Sequence, residues 1–210
     1  MKKHKFLFLL FVLFNFSSGF GQQHFKSSPL CKFLKSNADS TIVFHHESNW
    51  EIPVKYMILC KKSDTISIFT YEVNNNNSKV ILPHNFSYSL YEVNVLKFNE
   101  SLPAVNEFLH PRYLSRDNLQ HLWKKIVSLK PWNINDDKVD GVGCPIIQGR
   151  FRGSISDGLS FVLDLITKKE MLSFEFYAPD YYEMKVCPGR DGRKSILKID
   201  KLFKHSFSGN

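Results

Sequence analysis

The 210-residue chain lacks the short motifs that usually mark a catalytic or nucleotide-binding site. It contains no Gly-Lys-Ser/Thr of a P-loop, no dinucleotide-binding glycine pattern and no Gly-x-Ser-x-Gly of a hydrolase. It has no His-Glu-x-x-His, and its four cysteines include no Cys-x-x-Cys pair, which argues against structural zinc and thioredoxin-like chemistry. The sequence therefore predicts no cofactor, no metal ligand and no catalytic residue. Whether the protein is an enzyme stays open, with a non-catalytic role favoured.

Long apolar runs are also scarce, and the longest lies at the N-terminus. Phe6–Phe16 is an apolar run of 11 residues broken only by Asn15, and three lysines precede it. Small residues follow the run. This three-part pattern predicts a secretory signal peptide over residues 1–21, with cleavage before Gln22. Because spanning a bilayer takes about 20 apolar residues, we predict no transmembrane segment in the mature chain. A buried N-terminal helix is the alternative.

The leader ends in the letters GFGQ, which resemble the ends of signal peptides of the Bacteroidetes. No cysteine directly follows the apolar run, so a lipid anchor is not predicted. We expect the mature protein, residues 22–210, to be secreted or periplasmic and to form a single α+β domain. A division into subdomains 41–131 and 146–207 is the alternative organisation.

The charge balance is mildly basic. The formal net charge is +8, and three of those charges are lysines of the predicted leader. A basic surface of this kind suits anionic glycans or lipid headgroups, although a solvated surface is the favoured explanation. An exported chain rarely meets nucleic acid, and the sequence has no aromatic and basic motif of a nucleic-acid reader. We therefore predict no nucleic-acid partner.

All four cysteines, Cys31, Cys60, Cys144 and Cys187, follow the predicted leader. An even number of cysteines in an exported chain favours disulfide bonds. Three pairings are compatible with the sequence, and we predict Cys31–Cys60 and Cys144–Cys187, which keep each bridge within one half of the chain. A nucleophilic cysteine paired with a histidine is the alternative.

Several segments have the alternation or the β-branched content of strands. Residues 41–46 are β-branched and apolar, and residues 54–62 and 64–73 flank a short polar turn, which predicts a hairpin. Residues 79–83 and 88–98 continue the strand-like pattern. The sequence therefore predicts a meander of strands in the first half of the chain.

Two later segments have helical periodicity, and two more resemble strands. A helix is predicted to begin after Ser115, which can cap its first turn, and to stop at Pro131. Residues 159–167 and 171–178 alternate like strands, and residues 193–207 predict an amphipathic helix. The grouped strands and segregated helices predict an α+β fold, with a mainly antiparallel sheet of meanders and two packed amphipathic helices.

The segments between these elements are predicted to be irregular. Residues 22–40 are polar, and residues 132–146 are rich in Asp, Asn and Gly. The second segment is similar to a calcium loop, but Lys138 stands at a position where a ligand is needed, so a solvated loop is favoured. Asp157-Gly158 is a strong hairpin signal and predicts a turn before the strand at 159–167.

Two groups of residues are candidates for binding. His45 and His46 are adjacent on a predicted strand, so their side chains point to opposite faces and cannot easily share one ion. Tyr177, Tyr181 and Tyr182 lie near a strand end, where aromatic side chains bind glycans and partner proteins well. The three tyrosines are therefore the candidate binding surface, and capping of the core edge is the alternative.

These observations predict an exported soluble protein that acts as a binding or structural module of the bacterial envelope. Its ligand would be a protein or a glycan that the sequence does not identify. The alternatives are an envelope hydrolase with a non-motif active site and a secreted inhibitor protein. A deep cleft holding polar groups with perturbed pKa values would favour the enzyme, whereas an exposed aromatic patch would favour the binding module.

Overall fold

The structure is a computed structural model that describes residues 25–48, 55–73, 84–101, 107–140, 155 and 157–208. The predicted signal peptide and the predicted strand at 79–83 lie outside the described residues. Residues 141–154 and 156, which precede the predicted Asp157-Gly158 turn, also lie outside the described residues.

The core of the fold is a six-stranded antiparallel sheet with the strand order β4-β3-β2-β1-β5-β6. The α+β class is confirmed, as are the strand predicted at 41–46, the hairpin after it and the two strands of the last third. The sheet combines strands from the first half and the last third of the chain. The strands are β1 Ser40–Glu47, β2 Tyr56–Lys62, β3 Thr65–Tyr71, β4 Leu109–Arg112, β5 Ser160–Thr167 and β6 Met171–Tyr177.

Helices lie against the sheet. The α-helices are α1 Pro29–Asn37, α2 His84–Glu100, α3 Arg116–Ser128, α4 Asp137–Asp140, α5 Pro179–Tyr181 and α6 Asp191–Phe207. A 3-10 turn spans Pro131–Asn133, and one π-helical turn spans Tyr182–Val186. Within the described ranges, none of these helices has both the length and the apolar character needed to cross a bilayer.

One face of the sheet, which we call the α6 face, carries Ile42 and Phe44 of β1 and is covered by α3 and α6. The predicted apolar stripe of α6 lies against this face, and Ile199 and Phe203 are fully buried there. Ile126 of α3 is also fully buried in the same cluster. The two predicted amphipathic helices are therefore confirmed, and both pack on this face.

The ends of α3 follow the predicted signals. Ser115 caps the helix, because its Oγ accepts a hydrogen bond from the backbone N–H of Asn118 over 3.3 Å. Lys130 adopts a left-handed conformation with φ of 52°, and Pro131 follows at once. Proline cannot continue the helix, so the chain leaves α3 at this point.

The opposite face, which we call the α1 face, carries Thr41, Val43 and His45 of β1. Helix α1 packs on it through Leu30 and Leu34. Residues 22–40 were predicted to be irregular, and for the part that α1 occupies this is wrong. Ser28 Oγ accepts from the backbone N–H of Cys31 over 3.1 Å and Pro29 follows it, so a polar stretch carries a complete helix start.

The strand predicted at 88–98 is also wrong, because these residues belong to α2. The alternation of apolar residues there does not mark a buried face. Val93 and Leu96 are 50% and 56% exposed, whereas Phe98 is only 5% exposed. The hydroxyl of Tyr71 donates to the backbone carbonyl of Phe98 over 3.0 Å, which ties the end of α2 to β3.

Replacing Ile199 with Ala should lower the free energy of unfolding by about 2–5 kcal/mol, because its fully buried side chain would leave a cavity between α6 and the sheet. Leu96→Ala on the exposed side of α2 is the matched control and should change stability by less than about 0.5 kcal/mol. Urea denaturation followed by circular dichroism measures both. Equal losses at the two positions would contradict the packing of α6 on the sheet.

Candidate functional site

A groove of about 540 Å³ runs along the α1 face between helix α1 and the β2–β3 hairpin. It forms because α1 packs over β1 and β5 and leaves part of the neighbouring hairpin uncovered. The lining is mainly apolar, with polar residues at one end. The lining residues are Phe33, Leu34, Asn37, Ala38, Cys60, Lys62, Ser63, Thr65, Ser67, Phe69 and Leu109.

The strand register sets the order of residues along the groove floor. Phe69 of β3 lies opposite Ile58, Ser67 lies opposite Cys60, and Thr65 lies opposite Lys62 at the hairpin tip. Side chains two residues apart on a strand share a face, so these pairs follow one another along the α1 face. The floor is therefore apolar at one end and polar at the hairpin tip.

The polar end of the groove is held by hydrogen bonds from the hairpin turn. Ser63 has a positive φ of 50° and its N–H donates to Asp39 Oδ2 over 2.7 Å. Asp39 Oδ1 lies 2.7 Å from the ammonium of Lys168. The contact with Lys168 and, to a smaller extent, the contact with Ser63 hold the pKa of the exposed Asp39 carboxyl below its usual value. The turn that ends the groove is therefore anchored to the start of β1.

The predicted Cys31–Cys60 disulfide is wrong, because both cysteines are free thiols. Cys31 donates its S–H to the sulfur of Met171 on β6 over 3.4 Å, and Thr41 Oγ1 donates to Cys60 Sγ over 3.5 Å. In the strand register, Cys60, Thr41, Ile166 and Met171 form one row across the sheet. Three strand spacings, about 14 Å, therefore separate Cys60 from the position of Met171, whereas a disulfide needs its Cα atoms within about 7 Å.

Burial shapes the chemistry of the Cys60 thiol on the groove floor. It raises the pKa of Cys60 to about 11, and the hydrogen bond from Thr41 offsets only part of that effect. Cys60 is therefore an uncharged thiol at neutral pH. Since the thiolate is the reactive form, the groove floor carries no activated nucleophile at this position.

The second predicted bridge, Cys144–Cys187, stays a prediction because Cys144 lies outside the described residues. Cys187 is buried after the π-helical turn, and Arg190 Nε donates to its sulfur over 3.3 Å.

A cluster of ionisable residues lies on the same face as the groove, under Phe25. His45 is only 1% exposed, and its Nε2 lies 2.9 Å from Glu47 Oε1. Its Nδ1 lies 3.7 Å from Asp164 Oδ2. Neither of these two atoms has a hydrogen-bond partner within the described part of the chain. The imidazole therefore lies between two carboxyl groups, with a full hydrogen bond on one side only.

Aromatic rings cover His45, whereas the side chain of Glu47 stays partly exposed. The ring of Tyr56 lies 4.7 Å from that of His45, and the ring of Phe25 stacks on Tyr56 at 5.2 Å. Burial raises the pKa of the Tyr56 hydroxyl, and the charges of Glu47 and Asp164 raise it further, so the phenol stays neutral. A substrate does not reach His45 in this arrangement, which makes the cluster a buried charge network.

Burial also raises the pKa of the Asp164 carboxyl, to about 6, and the attraction of His45 offsets only part of that effect. Asp164 lies in the middle of β5, opposite Val43 on one side and Ser173 on the other. A carboxylate there has lost most of its water and gains in return the imidazole nitrogen of His45 at 3.7 Å. The neutral form of Asp164 is therefore favoured in the folded protein below about pH 6.

His46 points to the α6 face, as the strand prediction for adjacent histidines requires. Its Nε2 lies 3.0 Å from Asp200 Oδ1, and the other carboxyl oxygen of Asp200 lies 2.8 Å from Lys204 Nζ. Burial alone would raise the pKa of Asp200, but the contacts with His46 and Lys204 hold it below its usual value. These interactions attach α6 to β1.

The three predicted tyrosines do come together. The rings of Tyr181 and Tyr182 lie 5.5 Å apart, and those of Tyr177 and Tyr182 lie 6.4 Å apart. Tyr177 donates its O–H to the carbonyl of Ile155 over 2.7 Å and accepts from the N–H of Gly158 over 2.8 Å. All three side chains are half-buried. Their role as a binding surface stays a prediction, and the contacts of Tyr177 are those of a residue that packs the sheet edge.

The acidic residues of the predicted loop at 132–146 have structural contacts. Asp137 Oδ1 accepts from the buried Arg193 over 2.8 Å, and Asp140 Oδ2 accepts from the N–H of Gly192 over 2.9 Å. A side chain at Gly192 would meet the backbone oxygen of Asn135, 2.0 Å from an added Cβ. Short helix α4 therefore docks on the start of α6. Across the described ranges, no three His, Cys, Asp or Glu side chains are grouped so as to hold a metal ion.

Comparison with known proteins adds no relative to this description. A scan against protein-family models finds no match to the chain, and a search of curated proteins finds none either.

Asp164→Asn should stabilise the protein at pH 8 and have little effect at pH 4. The raised pKa means that the folded state holds a proton that the unfolded state releases between about pH 4 and pH 6, so the penalty of the buried charge is present above pH 6. The difference between the two pKa values corresponds to about 3 kcal/mol at most. Urea denaturation at both pH values measures it, with exposed Asp64→Asn as the control. A less stable Asn variant at pH 8 would show that the ion pair with His45 outweighs the burial cost.

Proposed function

We propose that this protein is an exported binding module of the bacterial envelope whose groove between α1 and the β2–β3 hairpin takes a small, mainly apolar ligand. The groove itself is the observation that supports this function. Its volume of about 540 Å³ falls within the range of about 300–1,000 Å³ that is usual for small-molecule sites. Such sites are typically apolar with a few polar groups, which is the composition of this lining.

The neighbouring features favour binding over catalysis. The groove floor has a protonated thiol at Cys60, and the nearby histidine cluster lies under Phe25 and Tyr56. Neither provides a solvent-accessible nucleophile next to a base. The hydrolase and the inhibitor remain alternatives without a geometric observation in their favour.

The export component of the proposal rests on the N-terminal sequence. The basic and apolar leader with small residues before Gln22 supports secretion, and an oxidising compartment suits a Cys144–Cys187 bridge. The free thiols of Cys31 and Cys60 are compatible with that compartment, because each is held away from the other within the α1 face.

Peptide-mapped mass spectrometry of the exported protein, denatured and alkylated without reductant, should show a chain that starts at Gln22 with two alkylated thiols. The alkylated residues should be Cys31 and Cys60, and Cys144 should be linked to Cys187. Four alkylated cysteines would contradict the bridge, whereas an intact leader on all of the protein would contradict cleavage. The cytosolic form without a leader, handled in parallel, reports the thiol count under reducing conditions.

Filling the groove should abolish ligand binding without unfolding the protein. Ser67→Trp places a large side chain in the middle of the floor, opposite Cys60. We expect the affinity for the neutral apolar fluorophore N-phenylnaphthylamine to fall at least tenfold, about 1.4 kcal/mol, because the space for the ring is occupied. Fluorescence titration measures the affinity, and circular dichroism checks the fold.

Ser36→Trp is the matched control, since Ser36 is exposed on α1 and lies outside the groove lining. It adds the same side chain and should leave the affinity within about twofold of the parent protein. If N-phenylnaphthylamine does not bind the parent, or binds both Trp variants equally, the groove is not the ligand site.

A further inference from the structure

The groove is asymmetric along its length, and this asymmetry constrains the shape of a ligand. Phe69 lies at one end, close to Leu109 of β4, and Thr65 and Lys62 lie at the hairpin tip. Phe69 lies four positions along β3 from Thr65, so their Cα atoms are about 13 Å apart. A ligand that fills the floor is therefore elongated, with an apolar part toward β4 and a polar part at the tip.

The charge at the polar end is positive. Lys62 lines the groove, is exposed, and forms no ion pair within the described part of the chain. Asp39 binds Lys168 and the N–H of Ser63, and Lys62 acts on it more weakly than either, so most of the Asp39 charge is already compensated. Asp64 in the turn is the other acidic residue at this end.

The wall formed by α1 adds to the positive charge. Lys32 and Lys35 are exposed on α1, and both act electrostatically on Cys31 in the first turn of that helix. Helix α1 has no acidic residue among its nine. Neither lysine lines the groove, so both act at longer range, and Lys62 is the charged lining residue that favours an anion over a cation.

The floor does not oppose an anion. Cys60 is a neutral thiol, and its floor neighbours Ser67 and Phe69 carry no charge. A cationic head at the tip would lie next to Lys62, and because Asp39 already binds Lys168, only the exposed Asp64 could pair with it. An uncharged polar head would gain no ion contact.

We infer that the ligand of the groove is a free single-chain anionic amphiphile, with its apolar chain toward Phe69 and Leu109 and its anionic head at Lys62. This inference rests on the proposed function, since it names the class of molecule that the same groove takes. The chain supplies most of the affinity by leaving water, and the head decides the orientation and the selectivity.

Competition against dansyl-labelled undecanoate, followed by fluorescence, tests the inference. Three competitors with the same chain length are compared: dodecanoate, dodecyl maltoside and dodecyltrimethylammonium. Dodecanoate should compete best and dodecyltrimethylammonium worst. The advantage of dodecanoate over the other two competitors should shrink as the salt concentration rises, because its ion pair with Lys62 is exposed to solvent.

Lys62→Glu should weaken dodecanoate binding about fivefold, the size expected when an exposed ion pair is replaced by two like charges. The same variant should weaken binding of the neutral N-phenylnaphthylamine less than binding of dodecanoate, because the neutral probe has no anionic head to pair with Lys62. Lys198→Glu makes the same change of net charge on the exposed side of α6, which covers the opposite face of the sheet, and should leave both affinities unchanged.

The outcomes separate the inference from the function on which it rests. Binding of the neutral probe without any preference among the three heads would overturn the anionic ligand and leave the groove as a binding site. Equal effects of Lys62→Glu and Lys198→Glu would assign the preference to net charge and overturn the role of Lys62. Failure of both probes to bind the parent would remove the groove as a site altogether.

Discussion

Burial of β1 and β5 on both faces is the constraint on which the remaining architecture depends. These two strands pair in the middle of the sheet, and Val43, Phe44, Leu163 and Leu165 are all inaccessible to solvent. Apolar surface contributes about 25 cal/mol per Å² when it leaves water, so each face of the pair has to be covered. Helices α3 and α6 cover one face, and α1 with the end of α2 covers the other. Helix α1 packs mainly on β1 and β5, and the groove lies beside it over the β2–β3 hairpin.

The parts of the fold that the sequence predicts are those with a strong local pattern of apolar residues. The stripe of α6 and the alternation of β5 and β6 are visible without knowledge of the sheet. Helix α1 was missed because most of residues 22–40 are polar, although Ser28-Pro29 is a helix-start signal that could have been used. Helix α2 was missed for the opposite reason. Its Val93 and Leu96 suggest a buried face, yet they are exposed, and Phe98 provides the contact with the sheet.

The groove could not be predicted in the same way, because its lining comes from α1, the β2–β3 hairpin and β4, and these three parts are far apart in the sequence. Only long-range strand register brings Ser67 and Phe69 beside α1. Cys60 was singled out, but as a half-cystine, since cysteine count alone does not show that a sheet row separates it from Cys31. The tyrosines illustrate the reverse case. Their clustering was foreseeable from proximity in sequence, whereas the hydrogen bonds of Tyr177 to Gly158 and Ile155 depend on the path of the chain before β5.

Helix α1 links the groove to the buried histidine cluster, since it forms a wall of the first and lies over the second. The charge of Asp164 acts on Cys31 in the first turn of α1, which shows how close that carboxyl lies to the helix. Asp164 is ionised above about pH 6 and destabilises the folded state there, whereas its neutral form below that pH carries no such cost. The segment that covers this charge includes Phe25 and Leu30, and Leu34 continues the same helix face into the groove wall. The packing of α1 on the sheet therefore contributes both to the burial of Asp164 and to the wall of the groove.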